Sequence, residues 1–279
     1  MLTEFFWFVL ILTFLALLYF SVRYAWWRPA TSYDYPRILM YHMIRDSIPK
    51  AKFNGLRVSP SMFERQLQFL TENGWSFYTV TELYELAEKG GIPSKSVAIT
   101  FDDGYEDNFT NAFPLIKKYN AKATIYLVVD RHDRDWSGKR KEKNQGAGLL
   151  LEPKLSDAQV KEMLASGLIE IGSHTLTHDN LVSLDALAKR KEIQESRDKI
   201  RSEFGIDCEA FCYPFGLYEP EDVEIAKEAG YKTATTVSSG IDSELIDKPF
   251  ELSRITISGK DSFYAFSQKM RMGKRGLFK

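Results

Sequence analysis

Residues 97–108 read VAITFDDGYEDN, and they give the clearest indication of the fold. An apolar run leads directly into two carboxylates, Asp102 and Asp103, and Gly104 then permits a tight turn. A short, continuous apolar run is typical of a strand covered on both faces. Catalytic groups in parallel α/β folds collect where such strands end, but aspartates are also common in ordinary turns. The stretch therefore predicts a buried parallel strand, and its chemistry needs support from elsewhere in the chain.

Residues 168–181, LIEIGSHTLTHDNL, repeat this arrangement with two histidines. His174 and His178 follow an apolar run and a glycine, and they are two of only four histidines in the chain. Histidines four residues apart converge on one metal when the backbone curls through a turn. Two imidazoles and the Asp103 carboxylate would leave open positions for water and substrate, as catalytic metal sites require. A cation there would also relieve repulsion between the adjacent carboxylates and leave Asp102 as a base.

A third apolar run, in residues 209–218, EAFCYPFGLY, ends in Pro214, Phe215 and Gly216. Proline and glycine fix a turn at the end of the predicted strand. Outward-facing amides of such a turn can donate hydrogen bonds to an oxyanion. The three stretches thus predict one rim that carries carboxylates, imidazoles and amide donors.

Short apolar runs alternate with amphipathic helical patterns over some 220 residues. This alternation predicts an α/β fold with a parallel sheet, and an open doubly wound sheet and a closed barrel fit it equally well. Serine or threonine caps precede three of the helical patterns, at Ser59, Thr79 and Ser156. The predicted strands are residues 38–41, 97–101, 123–129, 168–171, 210–213, 233–237 and 255–258.

The motifs TFDDGYEDN, SHTLTH and AFCYPFG, in this order, resemble those of carbohydrate esterase family four, the polysaccharide deacetylases with a NodB-homology domain. The resemblance covers roughly residues 37–260. It implies a distorted (β/α)7 barrel and a divalent metal, usually zinc, with other first-row divalent metals as alternatives. It also implies hydrolysis of N-acetyl groups on sugars. By position, Asp102 matches the family's general base, and the Phe215 amide matches its oxyanion donor. Asp103, His174 and His178 match its metal ligands.

Two departures from the family pattern concern the arginine and the general acid. Cys212 stands near the place of an arginine that orients the base, and the late strand, ELSRITIS, has no histidine. A subgroup that deacetylates poly-β-1,6-N-acetylglucosamine instead carries an early MYH strand, which ILMYHMI resembles. In a barrel, the acid-bearing strand can be encoded first and occupy the same place. We therefore expect His42 to be the general acid, with a core histidine as the alternative.

The resemblance implies a metal-dependent deacetylase of an acetylated aminosugar polymer, with the β-1,6-linked polymer favoured. The alternatives are a deacylase of a lipid-linked sugar at the cytoplasmic membrane and a non-catalytic sugar-binding protein. Three rim aromatics, Tyr105, Trp136 and Tyr218, are candidates for stacking on sugar rings. The net charge of −1 gives no nucleic-acid signature. The only two cysteines, Cys208 and Cys212, exclude a disulfide framework.

Residues 1–27 are expected to form an uncleaved, single-pass membrane anchor. Residues 5–20 carry no charge, and Tyr24, Trp26 and Trp27 follow as an interfacial belt would. By the positive-inside rule, the arginines after the run place the domain in the cytoplasm. The best-matching subgroup acts outside the cytoplasm, however, and we favour this outward orientation.

The remaining segments follow from these assignments. We expect a linker over residues 28–36, a deacetylase domain over 37–262 and a basic tail over 263–279. The tail could lie on anionic lipid or be solvated. Residues 131–150 interrupt the pattern with charge and glycine and are expected to be an insertion, with His132 on its surface.

Overall fold

Strands and helices alternate along the described residues, 2–132, 149 and 152–277, of this computed structural model. The helix bounds are α1 Leu2–Tyr24, α2 Pro60–Glu72, α3 Val80–Glu88, α4 Phe113–Lys118, α5 Asp157–Ala165, α6 Ala186–Arg190, α7 Ser196–Phe204, α8 Pro220–Glu228 and α9 Phe263–Met272. The strand bounds are β1 Arg37–Tyr41, β2 Met43–Ile44, β3 Arg57–Val58, β4 Ser76–Tyr78, β5 Ser96–Asp102, β6 Ala123–Leu127, β7 Ile169–Ser173, β8 Ala210–Cys212, β9 Thr233–Thr235 and β10 Ile255–Thr256. The order confirms the predicted alternation.

Seven strands form a continuous parallel path in the order β10-β1-β5-β6-β7-β8-β9. β5 is the longest strand and is buried along its whole length, as the opening apolar run predicts. On β5, the first three residues pair with β4 and the last four pair with β6. The short pair β2-β3 forms a separate parallel ladder. The sequence pattern missed β2, β3 and β4 because two or three residues are too few to show an apolar period.

The two ends of the path approach each other through the segment that contains Leu252 and β10. Leu252 forms a parallel bridge with Thr235 of β9, and three residues later Ile255 pairs with Leu39 of β1. The sheet therefore curls into a distorted, incompletely closed barrel. This architecture, preceded by one apolar helix, confirms the fold class predicted from the motifs.

The predicted helix starts have the expected capping hydrogen bonds. The Ser59 hydroxyl accepts a bond from the Met62 amide, and Pro60 occupies the first helical position. Thr79 and Ser156 each form a reciprocal capping box with the side chain three residues later. The caps supply partners for amides that a helix leaves unpaired at its start.

Helix α1 has no polar face, and it is exposed from residue 3 to residue 20, whereas its last residues contact the C-terminal segment. The helix is 23 residues long. Its most apolar part, within Thr3–Tyr24, has a mean hydropathy of 2.4, and none of that part is buried. At 1.5 Å per residue it is about 34 Å long, enough to cross a hydrocarbon layer of about 30 Å. By length and composition, α1 is thus a candidate membrane span, although a signal sequence near an N-terminus passes the same test.

Residues 28–36, expected to be a linker, are held against α9. The buried Arg37 guanidinium donates to the carbonyls of Thr31, Ser32, Tyr35 and Met270. Burial lowers the pKa of Arg37 to about 10. The segment is therefore fixed because one side chain from β1 takes four backbone acceptors.

Helix α9 lies in the segment assigned to the basic tail, and it packs on the domain. Phe266 is fully buried, and the ring of Phe69 on α2 lies 5.9 Å from it. Phe263 also packs against Phe69, at 5.6 Å. The segment carries five basic residues and no acidic one, whereas its aromatic contacts with α2 decide its position.

Candidate active site

Four strands of the parallel path, β1, β5, β7 and β8, deliver the candidate site residues to one edge of the sheet. β5 ends at Asp102, β7 ends just before His174, and β1 ends just before His42. β8 runs into the Pro214–Gly216 turn. Because the strands are parallel, their carboxyl ends share this edge, as the sequence pattern predicts.

The predicted metal ligands meet in a buried cluster. The Nε2 atoms of His174 and His178 lie 3.5 and 3.4 Å from the same oxygen of Asp103. All three side chains are at most a tenth exposed. Three donors that bind one ion tetrahedrally at about 2.0–2.2 Å lie roughly 3.4 Å apart. The donor types and their spacing therefore fit a divalent cation.

The second ring nitrogen of His174 fixes the orientation of this ligand. His174 Nδ1 lies 2.8 Å from the carbonyl oxygen of Cys212 on β8. A proton on Nδ1 donates to that carbonyl and leaves Nε2 free to bind a metal. Burial lowers the pKa of His174, but contacts with Cys212 and the charges of Asp102 and Asp103 raise it overall, to about 9. The position thus favours positive charge, which a bound cation would supply.

The backbone around the cluster adopts left-handed conformations that non-glycine residues rarely take. The φ angles are 77° at Asp103, 67° at Thr175, 61° at His178 and 60° at Phe215. Each such residue costs roughly 1–3 kcal/mol and persists only where the surroundings enforce it. Four such residues at one rim indicate that the surrounding fold holds the backbone of the candidate site in a strained conformation.

Asp102 is held by a buried arginine. Arg254 Nη1 and Nη2 donate to the two oxygens of Asp102 at 2.6 and 2.8 Å. Burial alone would raise the pKa of Asp102, but the charge and hydrogen bonds of Arg254 lower it overall. The carboxylate is therefore kept ionised and in one orientation, as a proton acceptor needs.

The sequence patterns did not identify Arg254 as the partner of Asp102. They showed only that the family's arginine, which orients the base, is absent near Cys212 in the third motif. Arg254 comes from ELSRITIS, the strand that lacks a histidine, and Nη2 lies 3.2 Å from Cys212 Sγ. Its Nε atom donates to the Thr236 carbonyl at 2.8 Å. The available signal was a single arginine just before an apolar strand, where a charge needs a partner.

His42 lies beside Asp102 at the rim. Its Nε2 atom is 3.9 Å from an Asp102 oxygen, and its side chain is 19% exposed. The amide side chain of Asn108 donates to the His42 carbonyl, and Asp107 accepts from the Ile44 amide. These contacts fix the turn after β1, so that a partly exposed imidazole faces the rim.

The turn after β8 brings Phe215 against a metal ligand. The Phe215 ring lies 4.5 Å from the His178 ring, edge to face. The amides of Gly216 and Leu217 donate to the carbonyls of Tyr213 and Pro214. Gly216 has φ 63°, and a Cβ there would lie 2.2 Å from Val237. Only glycine fits this position, which lets the turn approach the site closely.

The three predicted stacking aromatics differ in their surroundings. Tyr105 is only 1% exposed and packs with Met43 and Leu149, so its ring has no face for a sugar. This prediction was wrong because rim position alone does not give exposure. Tyr218 is partly buried, stacks on Tyr213 at 4.3 Å and donates to Glu251. Trp136 lies outside the described residues. His132, predicted on the surface, is exposed.

A family model described as polysaccharide deacetylase matches residues 89–234, more than half of the chain. The chain belongs to the polysaccharide deacetylases. These enzymes are hydrolases, in agreement with the motif-based prediction. YxkH of Bacillus subtilis, a relative assigned to the polysaccharide deacetylases by name, is 32% identical over 82% of this chain and 74% of its own.

Two further polysaccharide deacetylase relatives are informative. The poly-β-1,6-N-acetyl-D-glucosamine N-deacetylase of Staphylococcus epidermidis is 28% identical over 81% of this chain and 79% of its own. The deacetylase PplD of Streptococcus pyogenes, solved in complex with acetate, superposes with a TM-score of 0.71. It is 28% identical and covers 85% of this chain and 98% of its own.

Proposed function

We propose that this deacetylase removes N-acetyl groups from an N-acetylhexosamine polymer, with poly-β-1,6-N-acetylglucosamine as the favoured substrate, in a metal-dependent reaction. The observation that carries the proposal is the juxtaposition of Asp102 with His42. An ionised carboxylate and an imidazole 3.9 Å apart adjoin the Asp103, His174 and His178 cluster. Amide hydrolysis needs both a base for water and an acid for the leaving amine.

Asp103, His174 and His178 would hold a divalent metal, with zinc favoured by two imidazoles and one carboxylate. When bound, such an ion polarises an acyl carbonyl and makes water easier to deprotonate. The Cys212 carbonyl keeps His174 in the tautomer that binds through Nε2.

The other residues act on protons and on the acyl oxygen. Asp102, oriented by Arg254, accepts a proton from the attacking water. The Phe215 amide donates to the oxygen that becomes negative in the tetrahedral intermediate. His42 in its protonated form then donates to the departing nitrogen, so that acetate and a free amine are released.

The substrate assignment rests on the relatives and on the early histidine. The Staphylococcus epidermidis relative is named for the β-1,6-linked polymer, and PplD was solved with acetate, the acid that N-deacetylation releases. The MYH strand carries His42 next to the base, as the permuted arrangement requires. A lipid-linked acylsugar is the second substrate to test, since α1 would keep the enzyme at a membrane.

We further propose that α1 anchors the enzyme in the membrane and that the catalytic domain faces outward, where exported polymers lie. The arginines after α1 oppose this orientation by the positive-inside rule. Arg37, one of them, has a structural role in holding four carbonyls. Protease added to intact cells should digest an outward-facing domain, and protection of the domain would reverse the assignment.

The function is tested with the full chain in detergent micelles, stripped of metal and then supplied with Zn²⁺. We expect acetate release from β-1,6-linked acetylglucosamine oligomers, less from β-1,4-linked ones, and none before metal is restored. Preference for a lipid-linked acylsugar would replace the polymer assignment. No release from any of these by the zinc-loaded chain would refute the proposed activity.

Replacement His42→Ala tests the acid. Turnover should fall by roughly 10²- to 10⁴-fold while bound zinc stays at the wild-type level, because His42 is not a ligand. His132→Ala, which alters an exposed histidine, should change neither quantity. Loss of zinc from the His42 variant would contradict the assignment.

A further inference from the structure

A pocket lies between the end of α1 and the C-terminal segment, and its lining shares no residue with the catalytic cluster. Its volume is about 680 Å³. The cationic side chains around it are Arg23, Lys260, Lys269, Lys274 and Arg275. The one carboxylate in its lining is Asp261, and the hydroxyls of Ser239, Thr256 and Ser258 complete the polar wall. The lining therefore has a net charge of plus four.

Only part of this positive charge is compensated by residues that the structure describes. Lys269 Nζ lies 2.5 Å from one oxygen of Asp261, and Arg275 Nη1 lies 3.5 Å from the other. For Arg23, Lys260 and Lys274, no acidic side chain among residues 2–132, 149 and 152–277 lies within ion-pair distance. Three cations around one concave surface repel one another unless an anion joins them.

The pocket is at the end of the apolar helix because α1 itself contributes to it. Arg23 is the penultimate residue of α1. The Leu277 amide donates to the Val22 carbonyl, and Tyr264 of α9 lies 4.8 Å from Tyr24. A Cβ on Gly276 would lie 2.1 Å from the Arg23 carbonyl oxygen, so glycine is needed for this close approach. The C-terminal segment is thus packed on the end of α1.

The position of α1 sets the depth of the pocket in a bilayer. If α1 crosses the hydrocarbon layer, its last residues emerge at the level of the headgroups, where Trp26 and Trp27 are also exposed. Lipid phosphates lie at that level. Cationic side chains and hydroxyls are the groups that bind a phosphate diester.

We propose that this pocket binds the phosphate of an anionic lipid headgroup, such as that of phosphatidylglycerol. The inference rests on the proposed anchoring of α1 and is independent of the deacetylase chemistry. Bound lipid would link α1, α9 and the C-terminal segment through one anion. The catalytic domain would then be held at a defined height above the membrane surface.

The experiment uses the full chain in detergent micelles with added dioleoyl-phosphatidylglycerol or dioleoyl-phosphatidylcholine, which have the same acyl chains. Native mass spectrometry measures the lipid that stays bound. We expect phosphatidylglycerol to bind at least about tenfold more tightly than phosphatidylcholine. The double variant Lys260→Gln/Lys274→Gln should lose this preference. The control Lys161→Gln/Lys199→Gln, which alters two exposed lysines elsewhere, should keep it.

Three outcomes would overturn the proposal. These are equal binding of the two lipids, an undiminished preference in the Lys260/Lys274 variant, and full displacement of phosphatidylglycerol by 10 mM inorganic phosphate, which would indicate a site for a free anion. Alkaline carbonate extraction of cell membranes tests the anchoring separately. Release of the chain into the supernatant would refute the membrane anchor, and with it a lipid as the source of the bound phosphate. Retention of the chain together with equal binding of the two lipids would refute only the proposed lipid site.

Discussion

Arg254 brings a permanent positive charge into the interior of the barrel, where its carboxylate partner among the described residues is Asp102, the proposed base. The pair is buried, and both oxygens of Asp102 are bonded to the guanidinium. Breaking a buried pair by removing one partner typically costs about 3–5 kcal/mol, because the remaining charge has no compensation. The same contact therefore contributes to stability and to the orientation of the base.

Arg254→Lys separates these two contributions. Lysine keeps the charge but lacks the planar fork that bonds both carboxylate oxygens. We expect kcat to fall by roughly 10- to 100-fold with KM and zinc content unchanged, since Arg254 orients Asp102 and does not touch the metal ligands. Steady-state acetate release and metal analysis check this prediction.

The control for Arg254→Lys is Arg197→Lys. Arg197 donates to the carbonyl of Cys208, which precedes β8 and therefore lies at the opposite edge of the sheet from the site. The kcat of the Arg197→Lys enzyme should therefore stay at the wild-type value. An Arg254→Lys enzyme with wild-type kcat would show that one hydrogen bond suffices to orient the base.

The candidate metal cluster could be predicted at the residue scale because Asp103 and His174 directly follow apolar strands and His178 comes four residues after His174. Asp103 and His174 are separated by 71 positions, yet strand-end chemistry places them together. Arg254 could not be predicted in this way, because its partner is set by how the barrel curls. Tyr105 failed for the same reason: a rim position in the sequence did not reveal that Met43 and Leu149 cover the ring.

At the scale of elements, the turn after β1 depends on a buried carboxylate. Asp107 accepts bonds from the Ile44 amide at 3.0 Å and from the Asn108 side chain at 3.1 Å. Burial is the main cause that raises the pKa of Asp107 to about 6. The raised value means that the folded protein binds this proton more tightly than the unfolded chain, whose aspartate titrates at about 3.9.

This difference gives a pH dependence of stability with a definite sign. As pH rises from about 4 to 6, the folded state must give up a proton that the unfolded state has already lost, so stability falls. Above pH 6 the full penalty is present, at most about 2–3 kcal/mol. Burial also raises the pKa values of Glu170 and Asp222, so the contribution of Asp107 is isolated by comparing the wild type with an Asp107 variant.

Asp107→Asn should remove this penalty while keeping the oxygen that accepts from Ile44. We expect the variant to be more stable than the wild type at pH 8, by about 1–2 kcal/mol, and the difference to vanish near pH 4. Urea unfolding of both proteins at several pH values measures this difference, in which the other carboxylates cancel. A constant difference between pH 4 and 8 would contradict the assignment to Asp107.

Most elements could be predicted from the sequence, and the exceptions have physical reasons. Every predicted strand overlaps an observed one, because buried parallel strands are continuously apolar. The segment 28–36 had the composition of a linker, and its ordering depends on Arg37, whose acceptors include a carbonyl 233 residues away. Long-range contacts of this kind leave no periodic signal.

On the scale of the whole molecule, α9 extends the domain beyond the boundary expected at residue 262. Phe266 is fully buried, whereas Tyr264 on the same helix is 37% exposed. Phe266→Ala should therefore lower the free energy of unfolding by about 3–5 kcal/mol in one cooperative transition. Tyr264→Ala should cost less than about 1.5 kcal/mol. Equal effects of the two replacements, measured by chemical denaturation, would show that α9 is not part of the cooperative unit.

The place of β10 beside β1 has a consequence for how the enzyme matures. The ribosome makes β1 and the strand-end carboxylates before β10, and Arg254 follows Asp102 by 152 residues. A nascent chain that has acquired every proposed metal ligand still lacks the cation that steadies the base. Catalytic competence is therefore acquired only after Arg254 has been synthesised and β10 is inserted next to β1.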